Sequence, residues 1–171
     1  MTTIEINIDD NSWAQIPGYL SWESSLEKVF QKAIKKRYQG SKNFSVGLLL
    51  TGDKNIQKLN RDFRGMDKAT NVLSFPQYLP QDIGRIDTID KNLDIFLGDI
   101  AMSHQQIMRE SEQFHFKFFD RCTHLFVHGI LHLFGMDHID PVEREQMENL
   151  EIEILSEFGF SNPYIFEGEE K

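Results

Sequence analysis

A single cysteine, Cys122, among 171 residues excludes an intrachain disulfide framework and leaves too few thiolates for a closed structural zinc site within one chain. No apolar run approaches the ~20 residues that span a bilayer. The opening stretch Met1 to Ile6 carries no basic region followed by a long apolar segment. These absences predict a soluble, cytoplasmic protein without a membrane partner. Internal repeats and low-complexity segments are missing too. What remains is a chain of one domain's length, 40% hydrophobic, with enough apolar surface for a core, so one domain over residues 1–171 is expected.

Positive charge is also short, with a net of −9, but the deficit is local. Residues 137–171 hold 11 acids and 2 bases; removing these from the chain's 27 acids and 18 bases leaves 16 of each in the first 136 residues. Basic surfaces such as Lys35-Lys36-Arg37 and Arg61, Arg64, Lys68 thus stand in a neutral background. Overall charge neither supports nor excludes a polyanionic substrate.

Hydrophobic patterning predicts a mixture of strands and helices. Ile4 to Ile8 and Phe44 to Leu50 alternate as half-buried strands. Ser24 with Glu27 has the spacing of a capping box ahead of Leu26, Val29, Phe30, Ala33 and Ile34 on one helical face. Asp53 can cap a second helix with a stripe of Ile56, Leu59 and Phe63, closed by Gly65, which places Arg64 in its last turn. Asn71 to Phe75, stopped by Pro76, and Ile95 to Met102 read as strands joined by a long polar loop over 77–92. Ser103 with Gln106 predicts another cap, 117–134 a helix, and Pro141 the first turn of a last helix through Phe158. The expected class is α+β, a small mixed sheet with helices packed against it.

Chemistry concentrates in His128-Gly129-Ile130-Leu131-His132-Leu133-Phe134-Gly135-Met136-Asp137-His138. Residues four apart on a helix share a face, about 6 Å apart along the axis, so the imidazoles of His128 and His132 can converge on one cation. Gly135 suits the left-handed residue that ends a helix, and His138 can then fold back to the same ion. Three neutral imidazoles leave a tetrahedral zinc one open position, as catalytic sites require. One Zn2+ per chain, held by His128, His132 and His138, is therefore expected. His124, one turn earlier on the same stripe, is a candidate either to donate to substrate or to orient a ligand; Asp99, after Gly98 at a strand's end, could hydrogen-bond a ligand imidazole, though a turn role is simpler, and Asp137 is a turn residue next to a ligand.

The stretch resembles the metzincin signature His-Glu-x-x-His-x-x-Gly-x-x-His on its active-site helix, with Gly129 where the proteases carry the general-base glutamate. Without that carboxylate a peptidase of the usual kind is disfavoured, and the glycine suggests a need for close approach beside the metal, room for a nucleic-acid backbone. The glycine version is similar to the YbeY family of bacterial endoribonucleases, whose motif His-Gly-x-x-His-Leu-x-Gly-x-Asp-His is matched at every fixed position. The resemblance continues in Leu59 to Gly65, Thr70 to Pro76, Leu97 to Ile100 and Phe158 to Tyr164, with Ala69 standing where the family usually has proline. It implies a zinc-dependent, single-strand-specific endoribonuclease acting in 3′-end maturation of small-subunit ribosomal RNA and in ribosome quality control. The small ribosomal subunit or its associated proteins would be its partners. It also implies Arg64 as a phosphate ligand, since a guanidinium offers a planar fork of donors that stays charged; a favourable charge at a helix C-terminus is the alternative. Two other classes stay open: a metal-dependent peptidase of metzincin type, and a non-enzymatic ribosome-associated factor with structural zinc.

Overall fold

The computed structural model describes residues 2–165. In chain order it runs β1 (Thr2–Ile8), α1 (Ser12–Gln15), α2 (Tyr19–Arg37), β2 (Asn43–Thr51), α3 (Asp53–Arg64), β3 (Val72–Pro76), α4 (Pro80–Ile83), α5 (Ile86–Ile89), β4 (Asp94–Ser103), α6 (His104–Phe114), α7 (Phe118–Leu133) and α8 (Pro141–Ser156). The strands form one sheet in the order β1-β2-β4-β3. β1, β2 and β4 are parallel, while β3 runs antiparallel along the edge of β4. This is the mixed α+β arrangement that the patterning predicts.

Alternation along β2 sends Phe44, Val46, Leu48 and Leu50 to one face, where they join Ile95, Leu97, Ile100 and Met102 of β4. Helices α2 and α7 cover that face with Leu26, Phe30, Phe126 and Ile130, so the main core lies between the sheet and these two helices. The other face carries a smaller cluster of Ile56, Leu73 and Ala101 under α3. Helix α7 touches the sheet, α2, α6 and α8. Its residues from Cys122 to Leu133 are buried apart from His128 and His132, which leaves one narrow stripe for chemistry.

Several local signals resolve differently from the sequence expectation. Helix α2 begins at Tyr19 after a left-handed Gly18, because Tyr19 and Trp22 are themselves buried; Ser24 lies inside the helix, its hydroxyl donating to the Ser21 carbonyl. Gly52 is the N-cap of α3, and Asp53 instead accepts from Ser103 Oγ at 2.7 Å and from Arg109. That bond takes the hydroxyl away from capping α6, whose N-cap is Ser103 without a side-chain bond. The segment 77–92 contains two short helices pinned by buried Ile83 and Ile86. Phe63 is 70% exposed, so the α3 stripe ends one turn before Gly65.

Candidate metal centre

His128 and His132 project from successive turns of α7, and their Nε2 atoms face each other 3.0 Å apart. The helix ends because Gly135 takes φ 77°, a left-handed conformation that costs glycine little, and its N–H returns to the His132 carbonyl. The turn brings His138 back, its ring centroid 5.3 Å from that of His128 and 5.0 Å from that of His132. One nitrogen from each of the three histidines lies within 4.8 Å of the other two. The three residues picked out by spacing are thus brought together.

The other ring nitrogens decide what the cluster can do. His132 Nδ1 donates to the Met136 carbonyl at 2.9 Å, and His128 Nδ1 donates to Glu151 Oε1 at 2.6 Å. With both Nδ1 protons committed, each Nε2 presents a lone pair, and two lone pairs facing at 3.0 Å call for a cation between them. Two nitrogens bound to zinc at about 2.0 Å in tetrahedral geometry stand roughly 3.3 Å apart. Burial pushes His132 down to about 4, helped by the charges of His128 and His138, so it is neutral near pH 7 as a ligand must be. The donor set fits a divalent metal.

Glu151 on α8 anchors the site from below and is fully buried. Its carboxylate accepts from His128, from His124 Nε2 at 2.7 Å and from the Tyr164 hydroxyl. Burial alone would raise its pKa, but the hydrogen bonds from His124 and His128 override it and hold the group down at about 2. A buried, ionised carboxylate behind the imidazoles favours positive charge in the pocket, the environment that carboxylate–histidine pairs provide behind metals. Helix α8 gave little warning of this role. Its acids Glu143, Glu145 and Glu153 are exposed, and only the placement of Glu151 between Met147 and Ile154/Leu155 on the buried face distinguishes it.

His124 is 5% exposed and engaged at both ring nitrogens: Arg121 Nη1 donates to Nδ1 at 2.9 Å, and Nε2 donates to Glu151. Burial lowers its pKa and favours the neutral ring. Arg121 in turn is held by Glu110, which also accepts from Asn71 Nδ2 at 3.0 Å. A continuous hydrogen-bonded chain therefore runs from Asn71 through Glu110, Arg121, His124 and Glu151 to His128. Only His124 and His128 were predicted as site residues; Arg121 sits one turn before His124 on α7, while Asn71, Glu110 and Glu151 lie elsewhere in the chain, and their convergence is tertiary. A cavity of about 320 Å³ beside the histidines is lined by Asn71, Arg121, His124, Arg144, Met147 and Tyr164, among others.

Two sequence expectations change, those for Gly129 and Asp99. Gly129 faces the sheet, not the histidine cluster: a β-carbon there would stand 2.9 Å from Ile100 Cδ1 and 3.1 Å from Cγ2, so the glycine serves the close approach of α7 to β4. Asp99 lines an exposed groove with Glu5, Asn7 and Phe63 on the face that α3 covers, and supports no ligand imidazole. Arg64 is exposed and donates through Nη2 to the Ser74 carbonyl at 3.0 Å; Ser74 Oγ in turn lies 3.3 Å from the Gly129 carbonyl. Arg64 is therefore tied to the strand that abuts α7. Asp137 accepts from the His138 N–H at 2.7 Å, the turn role expected of it.

Comparison with known proteins converges on one family. The family model described as Endoribonuclease YbeY matches residues 8–159. A protein of that name from Francisella philomiragia is 36% identical over 169 residues, covering 96% of this chain and 98% of its own. Another from Rhizobium meliloti is 37% identical and covers 94% of each. The solution structure of a Thermotoga maritima protein superposes with a TM-score of 0.56 at 22% identity, over 95% of this chain and 99% of that one, a likeness of fold.

Proposed function

The chain belongs to the YbeY family of endoribonucleases, and from that premise we propose that it is a zinc-dependent endoribonuclease that cuts single-stranded RNA. The reading includes action in the cytoplasm as one domain, in 3′-end maturation of small-subunit ribosomal RNA and in ribosome quality control, with the small subunit or its proteins as partners. Among the described residues no helix is long and apolar enough to cross a membrane. The observation that supports the reading best is the pair of Nε2 atoms 3.0 Å apart whose partner nitrogens are both committed as donors.

His128, His132 and His138 would hold the ion, leaving it an open position as in other sites with three protein ligands. When bound there, zinc supplies Lewis acidity to a phosphodiester oxygen and acidifies water. Glu151 and the Met136 carbonyl keep the His128 and His132 rings turned so that their Nε2 atoms face each other, where they would hold the ion. His124, with both nitrogens engaged, acts by steering the Glu151 carboxylate. Arg64 offers its remaining guanidinium N–H groups to an RNA phosphate from the end of α3. The glycine at 129 leaves no glutamate beside the first histidine, which removes the usual base of a metallopeptidase.

Purified protein of measured metal content, incubated with labelled single-stranded RNA, duplex RNA and casein, with and without chelator, tests this reading. Single-stranded RNA should be cut, duplex and casein should not, and chelator should abolish cutting. Casein hydrolysis would favour the peptidase, and no turnover at all with tightly held zinc would favour the structural-zinc factor.

A further inference from the structure

One side chain in the metal cavity is explained by neither the ligand set nor the stability of its helix. Arg144 lies in the fourth position of α8, a helix with five acids and this single base, and it is the only lysine or arginine between Asp137 and Ile165. A cation so near a helix N-terminus faces the positive end of the macrodipole, a mildly unfavourable placement. Among the described residues it forms no ion pair, although Glu148 stands one turn away on the same cavity wall. Its Nε donates to the His138 carbonyl at 3.2 Å, which ties the exposed guanidinium to the cavity that His128 and His138 also line. The other guanidinium of that cavity, Arg121, is committed to Glu110 and His124.

We propose that Arg144 is a substrate-binding residue, its two Nη groups gripping a backbone phosphate of the RNA strand that lies across the histidines. The planar fork matches two phosphate oxygens, and Nε remains free to hold the His138 carbonyl. This rests on the endoribonuclease reading above and adds a second anion contact, independent of Arg64, supplied from the acidic end of the chain.

The test compares Arg144→Gln with Lys35→Gln, which removes the same charge from the exposed end of α2. Anisotropy with a short fluorescent single-stranded RNA gives the Kd, cleavage kinetics give KM and kcat, and metal content and melting are measured on each protein. Arg144→Gln should raise Kd and KM on the order of fivefold to twentyfold, with kcat within about twofold, and the salt dependence of log K should flatten by about 0.7 for one lost phosphate. Metal content and melting should match the parent. Lys35→Gln should bind as the parent does, and Arg144→Lys should recover part of the affinity. Unchanged RNA affinity in Arg144→Gln overturns the proposal alone. Loss of metal with normal affinity in the metal-loaded fraction makes Arg144 a tether of His138 instead. A parent protein that neither binds nor cuts RNA overturns the endoribonuclease reading, and this inference with it.

Discussion

His128 Nδ1 and Glu151 Oε1 stand 2.6 Å apart, joining the helix that carries two candidate ligands to the helix that closes the fold. The bond fixes which nitrogen of His128 is free, and the same carboxylate fixes His124. One acid in the core thus sets the orientation of His124 and His128, while the Met136 carbonyl sets that of His132.

The first prediction is on that acid. Glu151→Gln keeps the volume but offers an amide N–H where either His124 or His128 also donates, so one ring must turn or lose its partner. Metal affinity should fall about 10- to 100-fold, and stability by about 1–3 kcal/mol for the unsatisfied buried group. Competition with a chromophoric chelator and thermal melting measure the two. Unchanged affinity would make Glu151 a core residue that happens to touch the ligand.

The ligand set itself predicts about one zinc per folded chain by elemental analysis, and loss of it in His132→Ala. Metal that binds only the folded state stabilises it by about 4 kcal/mol at a thousandfold excess over Kd. Chelation should therefore lower the melting temperature on the order of 10 °C for a chain of this size. A folded His132→Ala protein with full metal content would remove His132 from the site.

Much of this was legible in the sequence. The three histidines were readable because helical period and a glycine turn are local properties, and the four strands because alternation in two of them and apolar runs bounded by turn residues in the other two are local as well. Glu151 was not, since its role depends on α8 lying under α7, which no spacing within α8 encodes. The same reason defeats Ser24 and Ser103: both carry capping patterns, yet Tyr19 and Trp22 extend one helix past its apparent cap, and Asp53 captures the hydroxyl meant for the other. In the 77–92 segment, Ile83 and Ile86 are too sparse to show a period, and become visible only against the core they fill.

Arg64→Ala should leave fold and metal intact while slowing RNA cleavage. The guanidinium is exposed and its bond to the Ser74 carbonyl is worth about 1 kcal/mol at most, so melting should barely move. Removal of one charged phosphate contact should cost roughly tenfold or more in kcat/KM. Parental activity in the variant would mean that Arg64 only ties the end of α3 to β3.

The last prediction separates packing from chemistry at Gly129. Alanine in a helix interior is favoured over glycine by about 1 kcal/mol, but overpacking a filled core costs about 1–3 kcal/mol. Here the added carbon would meet three atoms of Ile100 at 2.9–3.2 Å. The clash should win, so Gly129→Ala should be less stable by up to about 2 kcal/mol, with metal content unchanged because the side chain points into the sheet. Gly129→Glu should fail to fold stably, since its carboxylate would be driven against β4 without a partner. Ile100→Val or Ile100→Ala in the Gly129→Ala background should restore part of the loss by making room. If Gly129→Glu instead folds, keeps its metal and hydrolyses casein, then the residue at 129 faces the histidines and the packing account of this glycine is wrong.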